Sequence, residues 1–399
     1  MAQITVERMG QQGDGLASLD GRPLHLPKVL PSEIVEVEGG KVARVVSASQ
    51  DRIEPFCPKF ENCGGCSLQH WREEPYAKWK SSLLESALEA KGLHPPIEPL
   101  IDAHGDGRRR VSLHVRQEDG LWVSGFMEQK SHRLCALETC PVLEPALRHA
   151  PLIAASFGPL LGNCDVWVTQ ADNGLDVAVK AERKAVPRRI ESLQELFNRW
   201  KLLRLAINGE ELMAAAQPIV IMGKARAQLP VQSFLQATQK GEETLARLVS
   251  EGLGKRKRVA DLFCGVGPFG LRLAETMSVS CYDSDRRAVA MLEQAVRHTE
   301  GLKPVSAEVR DLYRVPLVGQ ELSEFDGLVI DPPRAGAEAQ AKMIAKSNVK
   351  RVVYVACDVQ TFARDANVLV AGGYRLERVF PVDQFKWTAH LEMVGWFSK

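Results

Sequence analysis

Three groups of residues in this 399-residue chain have the types and the spacing for chemistry. The first is Cys57-Pro-Lys-Phe-Glu-Asn-Cys63-Gly-Gly-Cys66. Gly64 and Gly65 let the backbone turn tightly and aim amide N–H groups at a thiolate or a sulfide. Three thiolates need a fourth ligand, for which Cys140 in ETCPVLEP is the first candidate and Cys135 the second. Structural zinc usually pairs two short knuckles, whereas three clustered cysteines with one remote partner suit a cubane iron–sulfur cluster. Zinc and metal-free buried thiols are the alternatives.

The second group is Asp261-Leu-Phe263-Cys264-Gly265-Val-Gly267-Pro-Phe269-Gly270, directly after a predicted strand and opening a helix. A glycine-rich turn of this kind lets a cofactor approach the backbone closely. The spacing satisfies G-x-G-x-x-G, and Asp283 at the end of the next strand is placed to hold a ribose, which equally permits a nicotinamide dinucleotide. Asp261 helps to decide. A carboxylate at the turn entrance suits the cationic amino acid moiety of S-adenosylmethionine and repels a pyrophosphate. Cys264 is expected to pack rather than react.

The third group is scattered along the chain but expected on one edge of a sheet. Asp331-Pro-Pro-Arg334-Ala-Gly336 follows the strand DGLVI, Cys357 ends the strand RVVYVA, and Glu392 in His390-Leu-Glu392 precedes the last strand. The carboxyl edge of a parallel sheet is the usual ligand crevice. Asp331 can accept a hydrogen bond from the imide N–H of a base. Amino-methyltransferases often carry an aromatic after the two prolines to stack their target, and Arg334 in that place argues against that activity. Taken singly these are a rigid turn, a packed thiol and a solvated carboxylate. Together they form a nucleophile, a base and an orienting group.

The elements that must position these groups follow from periodicity. From about residue 231 onward, helix and strand signals alternate, which predicts an α/β doubly wound, mostly parallel sheet covered by helices. Residues 1–56 hold short runs rich in Val, Ile and Leu, punctuated by Gly, Asp and Pro, as in a small OB-like β-barrel. A helix is expected from about Glu74 to Lys91. Residues 57–230 read as an α+β region that carries the cysteine cluster.

Lys plus Arg number 51 and Asp plus Glu 50, so any RNA-binding surface must be a local patch. The run Arg108-Arg109-Arg110 is one candidate for phosphate contact, with a solvated charge run as the alternative. No apolar run of about 18 residues is present, so no membrane span is expected. MAQITVERMG has neither a basic nor an apolar signal region, and nine cysteines without a secretory signal read as a reduced, cytoplasmic protein.

These motifs together resemble the bacterial RNA uracil-5-methyltransferase family, and within it the 23S ribosomal RNA enzymes that carry a 4Fe-4S cluster. The resemblance covers nearly the whole chain. It implies a multidomain fold: a TRAM-like RNA-binding barrel over 1–56, a central RNA-binding domain with the cluster over 57–230, and a class I methyltransferase domain over 231–399. It also implies that the helix near 70–100 packs on the methyltransferase domain. By the same resemblance, Cys357 is the nucleophile and Glu392 the base, and Cys57, Cys63, Cys66 and Cys140 hold the cluster. Gln236, Phe263, Asp283 and Asp331 match cofactor or base contacts, beside Asp261, Gly265 and Gly267 of the turn, and Asp311 is assigned to the adenine end. The expected substrate is 23S rRNA, of the 1939 type rather than the 747 type, since tRNA members are expected to lack both the barrel and the cluster. The protein is expected to act as a monomer.

Three positions depart from the family pattern. Around the nucleophile the family reads S-C-N-P, where this chain has Ala356-Cys357-Asp358-Val359. Pro268 stands where Asn is common, and Ala307 or Glu308 replaces a polar contact residue. The competing readings are a tRNA methyltransferase, a nicotinamide-dependent redox enzyme, and a nonenzymatic RNA-binding iron–sulfur protein. The redox reading leaves Cys357, Glu392 and the Asp331 loop without roles.

Overall fold

The computed structural model describes residues 2–129, 131–182 and 189–399. Its largest sheet has eight strands, in the order Val305–Val309, Ser278–Asp283, Arg258–Leu262, Gly327–Ile330, Arg351–Ala356, Glu392–Ser398, Arg375–Asp383 and Ile101–Asp102. The first five run parallel, and Glu392–Ser398 is antiparallel to both of its neighbours. Central strands such as GLVI and RVVYVA are almost wholly buried, as sheet layers covered on both faces must be. The covering helices Gln239–Leu253, Arg286–Arg297 and Val359–Ala371 start at Thr238, Asp285 and Asp358, whose side chains accept backbone N–H groups of the first turn.

The helix Glu73–Glu89 lies early in the chain yet packs on this sheet. Its Leu84, Ala87 and Leu88 share one core with Leu262, Leu328, Phe362 and Ala366. Residues Ile101–Asp102 then add the outermost strand, beside Val382 and Asp383.

A second sheet of seven strands spans Arg110 to Ala214 and is antiparallel apart from Gly174–Lys180 beside Leu202–Ile207. The helix Ile190–Arg199 lies within that one parallel connection. The hairpin Ile219–Met222 with Ala225–Gln228 packs Val220, Met222 and Ala227 against Leu271, Ala288 and Ala295, and so sits on helices of the eight-stranded sheet. At the N-terminus, two three-stranded sheets enclose a small core that includes Val6, Ala17, Leu26, Val35 and Val37. No helix among the described residues is long and apolar enough to cross a membrane.

Candidate active site and cysteine-lined cavity

The inserted antiparallel strand explains how distant residues meet. Because Glu392–Ser398 runs against its neighbours, its first residue lies at the carboxyl edge of the parallel strands. Ala356 pairs with Met393, so one further step of the register brings Cys357 level with Glu392. Asp331 ends the strand on the other side of Arg351–Ala356. Burial pushes the Cys357 thiol up to about 12, and the negative fields of Glu392, Asp331 and Asp358 add to it. Glu392 itself is buried and held well above the ordinary carboxylate range, first by desolvation and then by Asp331. Desolvation also raises Asp331, to about 7. Burial thus favours the neutral forms of the thiol and of both acids.

A chain of amides joins these acids. Gln384 lies beside Glu392 and donates from Nε2 to Gln236 Oε1 at 2.7 Å. Gln236 in turn donates to Asp331 Oδ2 at 3.4 Å. Gln384 Oε1 accepts the Ala237 N–H at 2.9 Å, which fixes the amide's orientation. The side chain of Gln384 is fully buried, and nothing in the sequence marks it: its partners lie 147 and 148 residues away.

Asp358, one of the departures from the family pattern, has a clear local role. Its Oδ1 accepts the N–H groups of Gln360 and Thr361, and its Oδ2 meets Arg334 Nε at 3.3 Å. Asp and Asn cap helices about equally well, so the cap after Cys357 is retained. Arg334 is thereby tied to the loop that follows Cys357.

The glycine turn sits at the same edge. Asp261 is fully buried on its strand, not open at the turn entrance. Its Oδ2 accepts the Gly270 N–H at 2.7 Å, while Oδ1 is buried without a partner. Desolvation raises this acid to about 8. Asp283 accepts Gly265 N–H and Asp285 N–H, each at 2.8 Å. Gly265 takes a φ of 52° with open space where a side chain would stand, as close approach of a ligand to backbone requires. Phe263, at a φ of 64°, places its ring 5.4 Å from that of Tyr313, and Asp311 Oδ1 accepts the Tyr313 N–H at 3.0 Å. Tyr313 was not legible as a site residue. Cys264 is buried beside Cys281.

Cys57, Cys63, Cys66 and Cys140 all line one cavity of about 220 Å³, with Arg108, Arg110 and Gln69. Cys135 is outside that lining and packs with Cys63 and Leu137. Among the described residues, no three His, Cys, Asp or Glu side chains are gathered closely enough to hold a metal ion. Burial raises Cys63 to about 12 and Cys66 to about 11, and the nearby Arg108 opposes the rise at Cys66. The Gly65 N–H points to Cys63 Sγ at 3.4 Å. Arg108 Nε and Nη2 are buried with no partner.

The arginine run is neither a solvated stretch nor a phosphate-binding row. Arg109 is buried, paired with Glu242, and donates to the Gln236 carbonyl. Arg110 donates to the Leu235 carbonyl and stacks on the exposed ring of Phe234. Glu242 and the Leu235–Gln236 carbonyls take up Arg109 and Arg110, while Arg108 turns to the cysteine cavity.

Residues 220–399 match the model of the tRNA (uracil-5-)-methyltransferase family. An uncharacterised RNA methyltransferase of Brucella suis is 41% identical over the whole chain, covering 98% of that protein. The chain belongs to the RNA uracil-5-methyltransferase family. It is accordingly an S-adenosylmethionine-dependent enzyme acting on uracil C5 in RNA. The 23S rRNA (uracil(1939)-C(5))-methyltransferase RlmD of Vibrio vulnificus is 28% identical across all of the chain and 96% of its own length. In fold, the chain is similar to the tRNA (uracil-54, C5)-methyltransferase of Pyrococcus abyssi, with a TM-score of 0.78, 21% identity and 99% of each chain covered. A tRNA enzyme thus shares the full-length architecture, so the strand-rich N-terminal region does not by itself mark a ribosomal substrate, contrary to the sequence-based expectation.

Proposed function

We propose that this enzyme methylates a uridine of 23S rRNA, of the 1939 type, through a covalent adduct on Cys357. The observation that carries the mechanism is the meeting of Cys357, Glu392 and Asp331 at one sheet edge beside the glycine turn. Uracil C5 is too weak a nucleophile to take a methyl group unaided. The Cys357 thiolate adds to C6, forming the S–C6 bond and moving the electron pair into an enolate over C5 and O4. C5 then attacks the methyl group of S-adenosylmethionine, the co-substrate that supplies it on a sulfonium and leaves as the neutral thioether. Glu392 takes the C5 proton, the C5–C6 double bond reforms, and the S–C6 electron pair returns to Cys357. Asp331 orients the base through its N3–H.

The raised Asp331 and Glu392 fit this sequence. A cation held beside Asp331 and Glu392 favours their ionised forms, so the base becomes competent as the co-substrate arrives. Asp261 Oδ1, buried without a partner, is an acceptor for a cationic or hydroxyl donor, and Asp283, Phe263, Asp311, Gly265 and Gly267 would complete the cofactor site. The target base must leave its stack, at a cost of a few kcal/mol. The exposed ring of Phe234 beside Arg110, two residues before Gln236, offers a stacking surface for RNA there.

The Cys57, Cys63, Cys66 and Cys140 cavity fits a 4Fe-4S cluster. Four tetrahedral zinc ligands at about 2.3 Å from one ion would draw the sulfurs onto a point, whereas these four surround a void of about 220 Å³. Bound thiolates would be ionised outright and would accept from Arg108 and the Gly65 amide. Methyl transfer moves no net electrons, so a cluster held by these cysteines would serve to shape the central region over 57–230. With the TRAM-like strands over 1–56, that region grips RNA while residues 231–399 carry the chemistry, in a cytoplasmic monomer.

The full-length likeness to RlmD supports a ribosomal substrate, and the full-length fold match to an archaeal tRNA enzyme supports tRNA as the second reading. Incubating deproteinised 23S rRNA and bulk tRNA with radiolabelled S-adenosylmethionine separates them. Label confined to one uridine of 23S rRNA is the expected result; label confined to tRNA overturns the ribosomal assignment and leaves the chemistry standing.

A further inference from the structure

Glu392 opens its strand directly after the loop 384–391, and that loop is held by parts of the chain more than 300 residues earlier. Lys80 is fully buried in the helix Glu73–Glu89, and its Nζ donates to Asp383 Oδ1, to the Phe385 carbonyl at 3.3 Å and to the His390 carbonyl at 2.7 Å. Tyr76, one turn earlier, donates from Oη to Asp383 Oδ2 at 2.6 Å and accepts the Trp387 N–H at 3.0 Å.

The cysteine-bearing segment grips the same loop from the other side. The Trp387 carbonyl accepts the N–H groups of Ser67 at 2.9 Å and Leu68 at 3.2 Å, immediately after Cys66. The Trp387 ring lies edge-on between Phe56, next to Cys57, and His104, with centroids 4.7 Å away in both cases. Trp387 also has a φ of 64°, a backbone state that side-chain-bearing residues seldom adopt without being held there. A buried ammonium is costly to place, and a hydrophobic side chain would fill the site of Lys80 more cheaply if packing were all that mattered. Instead it is spent on a carbonyl two residues from Glu392.

We propose that Lys80 and Trp387 are positioning residues for Glu392: the Glu73–Glu89 helix and the Cys57–Cys66 segment clamp the loop 384–391 and set the carboxylate's approach to C5. The proposal rests on the reading of Glu392 as the base. It makes the cysteine segment a mechanical support of the proton-removal step, not only part of an RNA grip. A displaced base slows elimination but leaves Cys357 addition and methyl transfer intact, so loosening the clamp raises the standing amount of covalent RNA–protein adduct.

That sign is what a purely structural role would not produce. Lys80→Met, Trp387→Ala and the milder Tyr76→Phe are compared with wild type and with Glu392→Gln by denaturing gel, after incubation with RNA substrate and S-adenosylmethionine. The expected result is a kcat lowered by about 10- to 100-fold, the scale of a small misplacement of a reacting group, with more adduct than wild type and unchanged cofactor affinity. Tyr76→Phe should lie between, which keeps the test open if Lys80→Met does not fold. Adduct at or below the wild-type level in clamp variants, while Glu392→Gln accumulates it, overturns the clamp and leaves the base in place. Absence of adduct in Glu392→Gln itself overturns the base, and the clamp with it.

Discussion

Two cysteine sites in this chain have opposite surroundings. Around Cys357 stand three acids, Glu392, Asp331 and Asp358, against one nearby cation, Arg334. The cavity of Cys57, Cys63, Cys66 and Cys140 is lined by Arg108 and Arg110 and by no carboxylate. Desolvation raises the thiols in both; Arg334 opposes the rise at Cys357 and Arg108 opposes it at Cys66. Burial raises Cys357 and Cys63 alike to about 12, and the difference lies in the charges around them: acids at the first, an arginine beside Cys66 at the second. The side chain is the same, and the proposed division into a reacting and a ligating site rests on its neighbours.

The sharpest way to break this contrast is to remove one thiol from each site. Cys357→Ala should lower methylation by roughly 10⁴-fold or more, as loss of a covalent nucleophile does, with cofactor binding by calorimetry unchanged. Residual activity near wild type would make Cys357 a packed thiol after all. Glu392→Gln should lose about 10²- to 10⁴-fold in turnover, the range for a general base, and accumulate adduct. Cys63→Ser should instead abolish visible iron–sulfur absorbance, lower Tm by several degrees and weaken RNA binding, while leaving cofactor affinity intact. Unaltered RNA affinity in a cluster-free protein would contradict a shaping role.

The smallest effect is a pH dependence of stability. The folded values of Asp331, about 7, and Asp261, about 8, lie above those of an unfolded chain, near about 4. Stability from these two groups is therefore fully present below about pH 4 and is lost as pH rises through 7 to 8. The Tm of the cofactor-free protein should fall by a few degrees between about pH 5 and pH 8, and Asp331→Asn should flatten its share of that slope. A Tm that rises over this window would place the acids in ionised, paired states.

The parallel sheet was legible because its strands are short apolar runs alternating with amphipathic helices, and the glycine turn and Asp331 loop follow strands directly. Their places on a common edge follow from topology. What the sequence reading lacked was long-range pairing. That Glu392 faces Cys357 depends on one antiparallel strand inserted between Arg351–Ala356 and Arg375–Asp383, which periodicity does not order. Gln384 looked like any loop amide, since its value lies in partners on Gln236 and Ala237. Sequence places Asp261 at the turn entrance, whereas burial and the Gly270 bond make it half anchor and half acceptor. The arginine run, open from sequence to phosphate contact or solvation, is neither because Glu242 and two carbonyls face Arg109 and Arg110 and Arg108 lines the cysteine cavity.

The most direct test of the central claim uses RNA substrate carrying 5-fluorouridine in place of uridine. Fluorine at C5 cannot leave as a cation, so a base cannot complete elimination and the adduct persists. The account predicts a denaturation-resistant protein–RNA complex that forms with S-adenosylmethionine, carries the transferred methyl group, and maps by peptide mass spectrometry to Cys357. A stable adduct on another residue, or methylation-competent enzyme that forms none, would contradict it.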